Sequence, residues 1–229
     1  MRIDVITLFP RMFEGVLSES MLRIAQEKKI LSVEITNLRD FGLGRHRSVD
    51  DRPYGGGPGM VLRPEPLVEA VRSVRAKVPD TPGRLLLMCP RGRRFDQAFA
   101  RELAKEERLI FAAPHYEGYD ERIVSALEPE LVSIGDVVLT GGELPALMAI
   151  DAVARLLPGV LGDETSTHSE SFAPGNEGLL EYPQFTRPAE FEGRGVPEIL
   201  LSGDHAKIEA WRREQARLRT EKERPDLLK

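Results

Sequence analysis

Cysteine is almost missing from this chain: Cys89 is the single one in 229 residues. An intrachain disulfide is thereby excluded, and a cysteine-rich metal site is argued against. Tryptophan also occurs once, and aromatic residues make up 6% of the chain. No apolar run approaches the roughly 20 residues that a membrane-spanning helix needs. A surplus of positive charge is lacking too, because 32 Lys and Arg face 37 Asp and Glu for a net charge of -5. Charge balance thus gives no global reason to expect a nucleic acid partner. Clustered Lys and Arg could still contact phosphates locally. The opening residues Met1-Arg2-Ile3-Asp4-Val5-Ile6-Thr7-Leu8 read as a strand carrying an acid, without the basic region and long apolar core of a signal peptide. A soluble, cytoplasmic protein is expected, large enough for one big domain or two modest ones.

Glycine and proline, by contrast, are concentrated. Arg45-His46-Arg47-Ser48-Val49-Asp50-Asp51-Arg52 runs directly into Pro53-Tyr54-Gly55-Gly56-Gly57-Pro58-Gly59-Met60. Neither helix nor central strand tolerates that composition, so the segment reads as an exposed loop of special backbone shape. Such a loop lets a ligand come close to the main chain, with Arg and Asp offering directional hydrogen bonds. It is not a phosphate loop, since Val61-Leu62 follows where Gly-Lys-Ser/Thr would be required.

Three apolar runs end in turn-forming clusters. Arg84–Cys89 precedes Pro90-Arg91-Gly92, Leu109–Ala113 precedes Pro114-His115-Tyr116-Glu117-Gly118, and Leu131–Leu139 precedes Thr140-Gly141-Gly142-Glu143-Leu144-Pro145. Short continuous apolar runs suggest strands buried on both faces, as in a parallel sheet. Helical patterns lie between them, at Asp96–Glu106 and Glu121–Leu127, which argues for an α/β architecture. In such sheets ligands bind beyond the carboxyl ends of the strands, where all three clusters fall. Cys89, at the end of the first run, reads as a small core hydrophobe.

Further strands are expected at the N-terminus and at Ser32–Leu38, and further helices around Met12–Leu17 and Leu67–Val74. A helix opens near Glu143-Leu144-Pro145 and ends by Pro158-Gly159, with its proline in the first turn where a missing amide does no harm. Asp163–Ser171 holds no apolar residue, and Pro174-Gly175-Asn176 follows. This stretch reads as an exposed interdomain linker. Beyond it, Ser202 or Asp204 can cap a helix with Ile208, Trp211 and Leu218 on one side and Arg212, Arg213, Arg217 and Arg219 on the other.

The loop from Arg45 to Met60, the Tyr116-Glu117-Gly118 turn and the Ser133-Ile134-Gly135-Asp136 to Pro145 stretch resemble those of the bacterial tRNA (guanine-N1)-methyltransferases, SPOUT-class knotted enzymes that methylate guanosine 37 beside the anticodon. The resemblance runs from Arg2 to at least Arg213. It implies a deep trefoil knot in a parallel-sheet domain over residues 1–161, a flexible linker over 162–177, and a small, mostly helical tRNA-binding domain over 178–229. It also implies a homodimer with active sites at the subunit interface, the anticodon stem-loop of tRNA as partner, and S-adenosylmethionine as methyl donor. The family is associated with Mg2+ dependence, although no ligand cluster here declares a metal site.

Carried onto this sequence, the resemblance assigns the cofactor to Pro90, Gly92, Tyr116, Glu117, Gly118, Ile134, Gly135, Leu139, Gly141, Gly142 and Pro145. His46, Asp50, Arg52, Gly55 and Gly59 would shape the guanosine pocket or touch the anticodon loop. Glu170 is the expected general base for the N1 proton, with His168 as second candidate, because relatives commonly carry aspartate at the position of Glu170. Arg155 would stabilise negative charge on guanine O6. His115 and Val137 depart from the arginine and tyrosine that relatives often carry. Arg212, Arg213, Arg217 and Lys222 would grip the anticodon arm. Other readings remain open on the residues: a knotted methyltransferase acting on another RNA site, and a non-catalytic RNA-binding protein. A pure binder would have no need for the pair Glu170 and Arg155.

Overall fold

The computed structural model describes residues 1–162 and 166–228, with the backbone alone at Ser166 and His168. Two compact units divide the chain, Met1–Gly162 and Asp163–Lys229. In the first, elements alternate as β1 (Arg2–Thr7), α1 (Arg11–Leu17), α2 (Ser20–Glu27), β2 (Ser32–Asn37), β3 (Asp50–Asp51), β4 (Val61–Leu62), α3 (Pro64–Ala76), β5 (Arg84–Arg94), α4 (Gln97–Leu103), β6 (Arg108–Ala112), α5 (Arg122–Leu127), β7 (Glu130–Ser133) and α6 (Glu143–Ala154). The expected α/β class with a parallel sheet is what forms: five strands in the order β2-β1-β6-β5-β7, every neighbouring pair parallel.

Side-chain alternation decides what each face of the sheet meets. Ile3, Val5, Leu86, Met88, Leu109, Phe111 and Val132 point into one core with α1, α2, α4 and α6. Ile6, Leu85, Leu87, Ile110 and Ala112 point into the other with α3 and α5. The apolar runs are continuous because both faces are covered. On the second face, the buried Arg108 guanidinium donates to Asp4 at 2.8 Å and to the carbonyls of Val74, Val78 and Thr81, at and beyond the end of α3.

The run Leu131–Leu139 does not continue as a strand. It leaves the sheet after Ser133, where the Ser133 hydroxyl accepts from the Gly135 amide at 3.1 Å and the Val137 amide turns back to the Gly135 carbonyl at 2.9 Å. Its apolar residues Val137, Val138 and Leu139 are exposed rather than buried.

The second unit contains α7 (Ser166–Ser169), a short hairpin of β8 (Glu190–Phe191) and β9 (Arg194–Gly195), α8 (Glu198–Leu201) and the long α9 (His205–Glu223). Asp204 caps α9 by accepting from the Lys207 amide. Just beyond the expected linker, Leu180 and Glu181 are bonded to α9: the Leu180 amide donates to the buried Thr220 hydroxyl at 2.9 Å, and Arg219 donates to the Glu181 carbonyl at 3.0 Å. Among the described residues, no helix is long and apolar enough to cross a membrane.

Candidate active site

A cavity of about 340 Å³ opens in the first unit beyond the carboxyl ends of β6 and β7 and beside an interruption in β5. Its walls are the three turn-forming clusters. Strand β5 supplies the first wall by interrupting its own pairing: Met88 and Arg93 both register with Val132, so Cys89–Gly92 is pushed out of the ladder. Gly92 makes this excursion sterically possible, since a Cβ there would lie 2.3 Å from the Val132 nitrogen and the Leu131 carbonyl carbon. Cys89 therefore lines the cavity, half-buried, instead of sitting in the core.

The second wall is His115–Tyr119 and the third is Ile134–Gly142. They are laced together by the Gly142 amide, which donates to the Pro114 carbonyl at 2.7 Å, and by a bridge between His115 and Gly141. Nine of the eleven expected cofactor residues line the cavity; Gly92 and Gly135 do not, acting instead on the shape of its walls.

Behind His115 lies a group that residue spacing alone did not single out. Glu143, 2% exposed at the first position of α6, accepts from the Thr7 hydroxyl at 2.9 Å and faces His115 Nδ1 at 3.5 Å. Phe9 packs on the same imidazole with ring centroids 4.6 Å apart. The helix N-terminus favours a carboxylate there. At the cavity mouth, Arg91 from β5 meets Glu121 at 2.6 Å and the Tyr119 hydroxyl at 3.2 Å. Burial, then the neighbouring Cys89, pushes the Tyr119 phenol up to about 12.

The glycine loop is tied to this cavity without lining it. Backbone bonds run from the Glu117 amide to Met60 and from the Leu62 amide to Gly118. Gly59, at φ +73°, packs against Glu117 so closely that a Cβ would stand 2.4 Å from Glu117 Cγ. Asp50 and Arg39 flank the Tyr116 hydroxyl, whose ionisation is held above its usual range by burial first and by Asp50 next. Asp50 and Gly59 therefore sit beside the cofactor turn. His46, Arg52 and Gly55 are exposed and do not line the cavity.

Arg155 stands half-buried at the C-cap of α6 in the first unit, and Glu170 half-buried after α7 in the second; neither lines the cavity. The His168 side chain lies outside the described residues. No group of three His, Cys, Asp or Glu side chains able to hold a metal ion occurs among the described residues.

The whole chain, residues 1–229, matches the family model described as tRNA (guanine-1)-methyltransferase TrmD. It is 55% identical over 229 residues to the tRNA (guanine-N(1)-)-methyltransferase of Bacillus subtilis, covering all of this chain and 93% of that protein. The enzyme of the same name from Pelotomaculum thermopropionicum is likewise 55% identical over 229 residues, with 100% and 90% covered. That from Anaeromyxobacter dehalogenans is 57% identical over 227 residues, with 99% and 90% covered. A parallel sheet with a turn-built cavity at its carboxyl edge, matched from end to end by these relatives, places the chain in the tRNA (guanine-1)-methyltransferase family.

Proposed function

We propose that this protein transfers a methyl group from S-adenosylmethionine to N1 of guanosine 37 of tRNA. The observation that carries the reading is the cavity itself. At about 340 Å³ it falls in the size range of small-molecule sites, apolar side chains alternate with main-chain donors and acceptors, and nine residues expected to hold the donor line it. When bound there, the donor supplies a methyl carbon on a sulfonium sulfur, which leaves as a neutral thioether once N1 has taken the methyl. Ile134, Leu139 and Pro145 would give the donor apolar surface, and the main chain at Tyr116–Gly118 and Gly141–Gly142 would frame it. Glu170 accepts the N1 proton, so that the N1 lone pair is free to form the new bond. Arg155 stabilises the charge that deprotonation spreads onto O6, which is an electrostatic contribution realised in the transition state. Asp50 and Gly59, held beside Tyr116 and Glu117, shape the entry for the unstacked guanine.

The reading includes a trefoil-knotted first unit. Membership in the family supports it. It also includes a homodimer. Helices α1 and α6 pack side by side and leave Met12, Val16, Leu144 and Met148 each 40% exposed or more, a surface suited to a second copy of the chain. The second unit contacts the anticodon arm, and the protein works in the cytoplasm.

Methyl transfer from labelled donor to a transcript with guanosine 37, beside an identical transcript with adenosine there, tests the reaction. Label on the first alone, mapped to N1, is the expected result. Label on both or on another base moves the activity to a different RNA site, and label on neither, with donor still bound, makes the protein a binder.

A further inference from the structure

We propose that the second unit carries a separate subsite for an unstacked nucleobase of the tRNA together with its adjoining phosphate. The inference rests on the reading of the protein as a tRNA methyltransferase. A cavity of about 770 Å³ lies between α8, the start of α9 and residues 182–189, more than twice the volume of the one in the first unit. Its walls include Tyr182, Phe185, Arg187, Leu200, His205 and Arg212.

Two flat surfaces suit the faces of a base. The Arg212 guanidinium lies 4.8 Å from the centre of the Tyr182 ring. Phe185, half exposed, is backed by Trp211 at 6.4 Å between ring centroids. Aromatic and guanidinium planes are what unstacked bases bind, with little regard to sequence. The edge and phosphate need donors, and these are at hand. Arg212 Nε is buried without a hydrogen-bond partner among the described residues, and its Nη1 is 3.9 Å from Glu209.

The lining of this cavity holds more cations than carboxylates. Further along α9, Arg217 is matched by Glu214 and Glu221, and Arg219 by Glu223 and the Glu181 carbonyl. Around the cavity, Arg187, Arg212 and His205 face Glu209, the one carboxylate among the described lining residues. Arg187 and Arg212 thus set two cations against one carboxylate where the aromatic surfaces are. That combination fits a polyanion carrying bases better than an apolar protein segment.

The test measures binding of a guanosine-37 tRNA transcript to the full chain over a range of salt, with affinity for S-adenosylhomocysteine measured in parallel. Phe185→Ala raises the tRNA Kd about tenfold, the size of a lost base stack. Arg187→Ala weakens binding and lowers the salt slope by about one. Both leave S-adenosylhomocysteine affinity and the hydrogen-exchange protection of α9 unchanged, so that both units remain folded, and Arg224→Ala, which removes an arginine already paired with Asp226, shifts the tRNA Kd less than twofold. Phe185→Ala and Arg187→Ala within twofold of wild type overturn the subsite and leave the enzyme reading standing. Failure of the wild type to bind tRNA overturns both.

Discussion

The two units solve stability in different ways. The first buries two continuous apolar clusters on either face of a five-stranded sheet, so its backbone is held by packing. In the second, Ala173, Ala216 and Thr220 are the fully enclosed residues among those described, and the chain is held by individual polar bonds such as Leu180 to Thr220 and Glu181 to Ser171. A packed scaffold can keep three turns fixed around a cavity without help from a ligand. A unit with few enclosed side chains depends on each hydrogen bond, and its open, partly polar surface is suited to gaining order and affinity from a large partner.

The contrast is broken most directly by attacking the scaffold. Phe111→Ala, at a fully buried position in the middle of β6, costs about 3–5 kcal/mol in the first unit, read as a drop in its denaturant midpoint. A loss confined to the second unit would contradict the assignment of the core. Gly92→Ala forces a Cβ onto the backbone of β7 and costs about 1–3 kcal/mol, with weakened S-adenosylhomocysteine binding by calorimetry. Normal stability and binding would mean that the Cys89–Gly92 excursion does not depend on that close approach. In the second unit, Thr220→Val leaves the Leu180 amide without its acceptor, at a cost of about 1–3 kcal/mol. Faster hydrogen exchange at residues 171–181, with none added in β1, β5 or β6, is the expected signature.

The smallest effect is electrostatic. Arg93, then Arg84, hold the Glu102 carboxyl down to about 2, from a normal value of 4.5. A carboxyl depressed in the folded state stabilises above its unfolded pKa and loses that contribution as pH falls through the folded value. Between about pH 4.5 and 2 the first unit should therefore weaken slightly, and Glu102→Gln should flatten that part of the profile, as followed by thermal melts. An unchanged profile in the variant would assign the acid sensitivity to other groups.

Much of the first unit is legible in sequence because its strands are short apolar runs closed by Gly and Pro, and the carboxyl-edge rule then points at the cavity. The run after Leu131 misleads: Val137, Val138 and Leu139 look like strand interior, yet Ser133 and Gly135 turn the chain out of the sheet. Cys89 misleads for a related reason, since the ladder breaks just where the apolar run ends. The Thr7–Glu143 bond joins residues 136 apart in the chain, a pairing that only the order of strands creates. On α9 the arginines read as a basic face, and two of them, Arg217 and Arg219, pair with Glu214, Glu221 and Glu223 three or four residues away. Helical spacing contained that pairing. The open cavity around Tyr182 and Arg212 needed the fold, because α8 and the segment around Phe185 come together only in three dimensions.

The proposed proton acceptor, Glu170, and the proposed donor cavity should be separable by mutation. Glu170→Gln tests this in one experiment: S-adenosylhomocysteine affinity from calorimetry beside single-turnover methyl transfer to a guanosine-37 transcript. Unchanged affinity with transfer slowed about a hundredfold or more is the predicted result. Transfer at the wild-type rate would contradict it and remove Glu170 from the chemistry.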